Sequence, residues 1–133
     1  MSSFVDRPAH RAQPGFTLVE LLVVLAVVAL LLSVSVPRYI AHVDRAREAV
    51  LRENLRQVRL ALDRFQGDLG RPPRDLAELV TLRYLRALPV DPLTERADTW
   101  TLVPTVPPAP AGLDDLHSGA PGVALDGTAY ASW

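Results

Sequence analysis

Glu20 is the residue whose surroundings most demand a chemical explanation. It stands at the head of an apolar run: Leu21 to Leu32 is unbroken, and Ser33 and Ser35 are the interruptions before Pro37. A carboxylate this deep in an apolar helix costs about 2–3 kcal/mol on insertion scales, and ionisable residues in such segments are functional by default. Gly15 and Phe16 lie just ahead of it. The second concentration of chemistry is C-terminal. Asp114-Asp115-Leu116-His117-Ser118-Gly119-Ala120-Pro121-Gly122 precedes Ala124-Leu125-Asp126-Gly127-Thr128, a glycine-rich loop with hard oxygen donors at both ends. Calcium takes roughly six to eight such oxygens and tolerates flexible geometry. The competing reading is a turn-rich loop in which Asp and Ser satisfy backbone amides. Asp114, His117 and Ser118 resemble a catalytic triad only on paper, because a run this short does not aim its members at one another. His10, His42 and His117 lack metal-ligand spacing, and no glycine-rich phosphate loop stands in a strand-to-helix context. No enzyme is expected.

The elements that must carry these residues are bounded by composition. With 133 residues there is room for one small domain beside the apolar helix. The chain has no cysteine, so packing, assembly or a bound ion must replace disulfides. A formal net charge of −1 argues against a general nucleic-acid binder. The charge is unevenly spread. Arg38 to Arg86 holds eleven Arg against seven acids, a balance of +4, whereas Ala87 to Trp133 holds Arg96 against six acids, a balance of −5. The two regions could attract each other between neighbouring subunits, or be two separately solvated faces. Every basic residue besides histidine is arginine, which reads as genome composition.

Counting Phe16 to Leu18, the apolar run is long enough to cross the roughly 30 Å hydrocarbon layer as a helix. Arg7 and Arg11 on its N-terminal flank hold that end in the cytoplasm and send the bulk of the chain outward, although Arg38 works mildly against this orientation. Three readings compete. Ser33-Val34-Ser35 resembles the cleavage site of a secretory signal peptide, which would release a periplasmic enzyme or binding protein. A plain transmembrane anchor is the second. Neither explains Glu20.

The third does. Gly15-Phe16-Thr17-Leu18-Val19-Glu20, followed by Leu21-Leu22-Val23-Val24-Leu25 and later Pro37, resembles the motif of type IV pilins and type II secretion pseudopilins. The resemblance implies a prepilin peptidase that cuts between Gly15 and Phe16 and N-methylates Phe16. Glycine would let the backbone enter the protease cleft without a side chain in the way. Glu20 would pair with the Phe16 ammonium of a neighbouring subunit, so that two buried charges become tolerable together and set register. The other reading of Glu20, a carboxylate favoured near a positive helix N-terminus, does not exclude pairing. Pro37 should kink or open the helix.

Beyond Pro37, Leu51, Leu55, Val58, Leu62, Phe65 and Leu69 form one helical stripe, with Arg52, Glu53, Arg56, Arg59, Asp63 and Arg64 on the other faces. This predicts helix from about Thr17 to Gln66, broken or bent near Pro37, ended by Gly67 and Gly70, with Arg71-Pro72-Pro73 forbidding continuation. Asp75-Leu76-Ala77-Glu78 reads as a capping box opening a short helix to about Arg83. Thr99 to Val103 is a strand candidate, Pro104 to Pro110 an irregular loop, and Gly122 to Trp133 one or two further strands carrying Tyr130 and Trp133 as sheet or core residues. The expected fold class is α+β: a long N-terminal transmembrane and amphipathic helix packed on a small C-terminal domain with a short helix and a small antiparallel sheet. The expected division is a leader (1–15), a transmembrane and assembly helix (16–37), an amphipathic stalk (38–70) and a small globular domain (71–133).

Tyr84-Leu85-Arg86-Ala87-Leu88-Pro89-Val90-Asp91-Pro92 is similar to a segment of the major pseudopilin, the G subunit, although Leu93-Thr94 stands where that family usually has Trp-Gly. Major pseudopilins hold calcium in a C-terminal loop, and on that resemblance Ser118, Asp126 and Asp114 or Asp115 are the ligands. The resemblance further implies a subunit of a type II secretion pseudopilus, anchored in the bacterial inner membrane with its C-terminal domain in the periplasm. It would form a homo-oligomeric filament with other pseudopilins on an inner-membrane assembly platform and drive protein export. A type IV pilin or minor pilin, for adhesion, motility or DNA uptake, is the alternative; the missing cysteine pair, the small size and the Tyr84-to-Pro92 segment favour the pseudopilin.

Overall fold

The computed structural model describes residues 14–133. The leader reading, apart from Pro14 and Gly15, lies outside them. The described residues fall into two units, the first ending at Arg38 and the second running Tyr39–Trp133. The architecture is α+β as expected: helix α1 (Leu18–Leu69), helix α2 (Leu76–Thr81), strands β1 (Thr101–Pro104) and β2 (Leu113–His117), and a terminal 3₁₀ turn, Tyr130–Ser132.

Helix α1 is a single element of 52 residues with Pro37 inside it. Of the expected break or bend at Pro37, the break is absent: the helix runs through it. Its first half, Glu20, Ser33 and Ser35 apart, is apolar on every face and exposed from Leu18 to Val36. Among the described residues it is the helix long and apolar enough to cross a membrane, with a mean hydropathy of 2.8 in its most apolar window. From Glu48 the pattern narrows to one buried stripe of Leu51, Leu55, Val58, Ala61, Leu62 and Phe65. Leu69, expected to close the stripe, is 46% exposed, because the helix ends beside it. Gly67 stays helical. The stop is Gly70, whose φ of +68° suits a residue without Cβ and whose amide donates to the Gln66 carbonyl at 2.9 Å.

Asp75 caps α2, accepting from the Glu78 amide at 2.8 Å. Glu78 reaches back one residue further than expected, to the Arg74 amide at 2.7 Å, and also grips Arg71. The helix stops at Thr81, short of the expected Arg83, because Arg83 takes a left-handed φ of 65° that no helix continues through. Leu76 and Leu79 pack onto the α1 stripe with Trp100, Leu113 and Leu116 to form the core.

β1 and β2 pair antiparallel, with the register slipping between Val103 and Pro104 so that Asp114 is passed over. The slip accounts for the burial of both Leu113 and Leu116. An unbroken strand would send residues three apart to opposite faces, whereas one extra residue turns both inward. Only Thr101 to Val103 of the expected strand Thr99–Val103 pairs. Gly122 to Trp133, expected as strand, forms a tight loop with a single Val123–Ala129 bridge and the 3₁₀ turn. Tyr130 and Trp133 pack at the margin of the core.

Candidate functional site

The N-terminal site is built from a reciprocal cap. The Thr17 amide donates to Glu20 Oε2 at 3.0 Å, and the Glu20 amide donates to Thr17 Oγ1 at 3.2 Å. With α1 starting at Leu18, this is a capping box in which both side chains satisfy amides that the helix leaves orphaned. The signal was present in the sequence as Thr17-Leu18-Val19-Glu20. The cap keeps Gly15 and Phe16 outside the helix, Phe16 92% exposed, so the Gly15–Phe16 peptide lies in non-helical backbone. The cap uses one of the roughly four lone-pair directions of the carboxylate, which leaves Glu20 capacity for a cationic partner.

The C-terminal site is built around α1. Glu48 is buried, and its Oε1 accepts from the Leu125 amide at 2.8 Å and the Tyr130 hydroxyl at 2.9 Å. Burial first, and then the Glu48 carboxylate, hold the Tyr130 phenol above its usual pKa. One turn on, Arg52 pairs with Asp126 Oδ2 at 3.0 Å and lies over the Trp133 ring, 4.1 Å from its centroid. Arg59 pairs with Asp115 Oδ1 at 2.8 Å and donates to the Leu116 carbonyl at 3.1 Å. Arg47 approaches Glu95 at 3.8 Å. The basic stalk and acidic C-terminal region thus meet within one subunit, where the sequence left open attraction between subunits. Sequence reasoning missed Glu48, whose spacing to Arg52 resembles an ordinary surface pair.

The oxygens expected to hold calcium are divided among separate contacts. Ser118, 1% exposed, donates to Asp91 Oδ2 at 2.6 Å and accepts from the Ala120 amide at 3.1 Å. Asp126 Oδ1 accepts from the Thr128 hydroxyl at 2.6 Å and the Thr128 amide at 3.0 Å. Those bonds, and then Arg52, hold its carboxyl below the usual range. Asp115 is taken by Arg59 and by the Leu116 amide at 2.7 Å. Asp114 sits exposed at the bulge. Among the described residues no three acidic or histidine side chains gather as a metal would need. Asp114 apart, each of the expected ligand side chains is already engaged by a protein partner in this arrangement. Nor does the paper triad assemble: Ser118 donates to Asp91, and His117 Nδ1 bonds the Trp133 carbonyl oxygen.

Asp91 organises the segment ahead of β1. It is fully buried, and its Oδ1 accepts from the Leu93 amide at 2.8 Å and the Thr94 amide at 3.4 Å. Trp100 closes the same loop by donating its indole N–H to the Pro89 carbonyl at 3.0 Å. Leu93-Thr94, where the G-subunit pattern has Trp-Gly, is held in the turn by Asp91 amide contacts and by a Thr94–Thr99 hydroxyl bond at 2.6 Å.

Comparison with known proteins adds two findings. Residues 10–36 match the family described as the prokaryotic N-terminal methylation motif. The chain is also similar to the type II secretion system core protein G of Pseudomonas aeruginosa (strain PAO1), 30% identical over a 99-residue alignment, with 62% of this chain and 70% of that protein covered. No solved structure matches the chain.

Proposed function

The chain belongs to the pseudopilin-like family of type II secretion core protein G, and from that premise we propose that it is a structural subunit of a type II secretion pseudopilus. Prepilin peptidase cuts between Gly15 and Phe16 and methylates Phe16; the mature subunit waits in the inner membrane with residues beyond Pro37 in the periplasm. Assembly then packs the apolar halves of α1 against one another and against other pseudopilins, and growth from the membrane platform drives export.

The observation that carries this reading is the Thr17–Glu20 cap at the head of a membrane-grade helix. Cleavage would leave a new ammonium one residue before the helix cap. A positive charge there opposes the helix dipole by about 0.3–1 kcal/mol and is far more costly once buried. Glu20, already at that helix end, is the group able to neutralise it, on its own chain before assembly and on a neighbour afterwards. A helix this apolar, exposed from Leu18 to Val36, is untenable in water, which supports burial in lipid or in a filament.

The test separates insertion from assembly. Glu20→Ala is expected to reach the membrane at wild-type levels and to give little filament when shear fractions are compared by immunoblot. Wild-type filament yield from Glu20→Ala overturns the pairing role.

A further inference from the structure

We propose that this subunit closes its C-terminal loop with its own stalk side chains, Glu48, Arg52 and Arg59, and that its fold is independent of calcium. The proposal goes beyond the filament reading, and neither stands on the other.

Consider what a cation would have to displace. Binding through Ser118 would have to use the one lone pair left beside its 2.6 Å donation to Asp91 and its acceptance from the Ala120 amide, on a hydroxyl buried inside the core. Binding through Asp126 competes with Arg52 and with both Thr128 donors. Binding through Asp115 competes with Arg59, which also occupies the neighbouring Leu116 carbonyl that could otherwise help fill a shell. Two guanidinium groups therefore stand where a divalent ion would need to enter, and like charges in that space repel.

The positive work of a calcium ion, tying a mobile loop to a rigid element, is done by the stalk instead. The loop is a tight turn: the Gly127 amide donates to the Ala124 carbonyl at 2.9 Å, and the Ala124 amide to the Thr128 carbonyl at 2.7 Å. Gly127 takes a left-handed φ of 85°, which a side chain would oppose. That turn points the Leu125 amide at Glu48, so the loop offers a donor to a carboxylate; a cation would require an acceptor. Tyr130 donates to the same oxygen from the other end of the turn. Arg52 then clamps the outside by bonding Asp126 while covering Trp133, which itself donates to Thr128 Oγ1 at 2.7 Å. The exposed Arg52–Asp126 pair contributes little alone. Buried Glu48, with two donors on one oxygen, is the principal fastening.

The experiment uses the full chain in detergent, melted by near-ultraviolet circular dichroism with excess EDTA and with millimolar calcium chloride, together with isothermal titration of calcium alone. The expected result is one melting temperature in both buffers and no saturable calcium heat. Glu48→Ala is expected to lower the melting temperature by the same several degrees in EDTA and in calcium. Glu48→Gln, which keeps an acceptor for the Leu125 amide, is expected to recover part of that loss. A lower melting temperature of the wild type in EDTA, or a saturable calcium isotherm abolished by Asp126→Asn, overturns the proposal. Wild-type stability of Glu48→Ala overturns the role given to Glu48, and because the chelator comparison uses the unaltered chain, it reads out even if that variant fails to fold.

Discussion

Replacing Ser118 with alanine removes one oxygen, and its consequences can be worked out bond by bond. The hydroxyl donates to Asp91 Oδ2 at 2.6 Å and accepts from the Ala120 amide at 3.1 Å, and both residues it serves are buried. Losing a hydrogen bond to a charged acceptor costs about 1.5–3 kcal/mol, and leaving a buried amide without a partner costs about 1–3 kcal/mol. Asp91 keeps its Leu93 and Thr94 amides on the other oxygen, so the carboxylate is weakened but not stripped. A combined loss of about 2.5–6 kcal/mol follows. For a unit of roughly 100 residues that corresponds to a fall in melting temperature of about 15–30 °C. Trp100 reports the transition well, because its buried indole bonds the loop that Asp91 holds. Near-ultraviolet circular dichroism of the detergent-solubilised full chain is the assay, run with chelator present throughout. A fall of only a few degrees would refute the account of Ser118 and Asp91 as a buried, mutually dependent pair.

Three further outcomes follow from the same geometry. A Cβ at Gly119 would stand 1.8 Å from the Thr99 carbonyl oxygen, a backbone atom that cannot step aside, so Gly119→Ala should abolish soluble folding as judged by protease resistance. Gly67→Ala has open space and a helical backbone, and should leave the melting temperature unchanged or raised slightly, by up to about 1 kcal/mol equivalent. Glu78 is held at a pKa of about 2, first by Arg71 and then by the Arg74 amide, against an ordinary 4.5. A depressed carboxylate pKa stabilises the fold above the ordinary value and loses that contribution as pH falls towards 2. The melting-temperature gap between wild type and Glu78→Gln should therefore be full at pH 6 and shrink steadily between about pH 4.5 and pH 2; a gap constant across that window contradicts the pairing.

Much of this fold was legible because its signals are periodic. The stalk stripe from Leu51 to Phe65 announces itself through repeated spacings of three and four, and Asp75 to Glu78 is a capping box by residue type alone. The misses have specific physical causes. β2 was hidden because its buried residues, Leu113 and Leu116, sit three apart across a bulge, which no alternation template detects. α2 ends early because Arg83 adopts a left-handed conformation that its residue type disfavours. Pro37 suggested a break or a bend; the break does not occur, because losing one amide donor inside a 52-residue helix leaves the flanking turns helical. At the C-terminal site, the placement of Glu48, Arg52 and Arg59 against the loop was hidden because it depends on contacts more than fifty positions apart in sequence. Thr17, by contrast, could have been found, since its spacing to Glu20 is the same capping signature recognised at Asp75.

The central claim is that this chain is processed and assembled as a filament subunit through the segment that Thr17 and Glu20 organise. Intact-mass and N-terminal peptide analysis of the protein recovered from its own membranes tests that most directly. The account predicts a mature chain beginning at Phe16 and carrying one methyl group on its amino nitrogen. A chain beginning at Val36, or one retaining Met1 to Gly15 in cells with active prepilin peptidase, would contradict it.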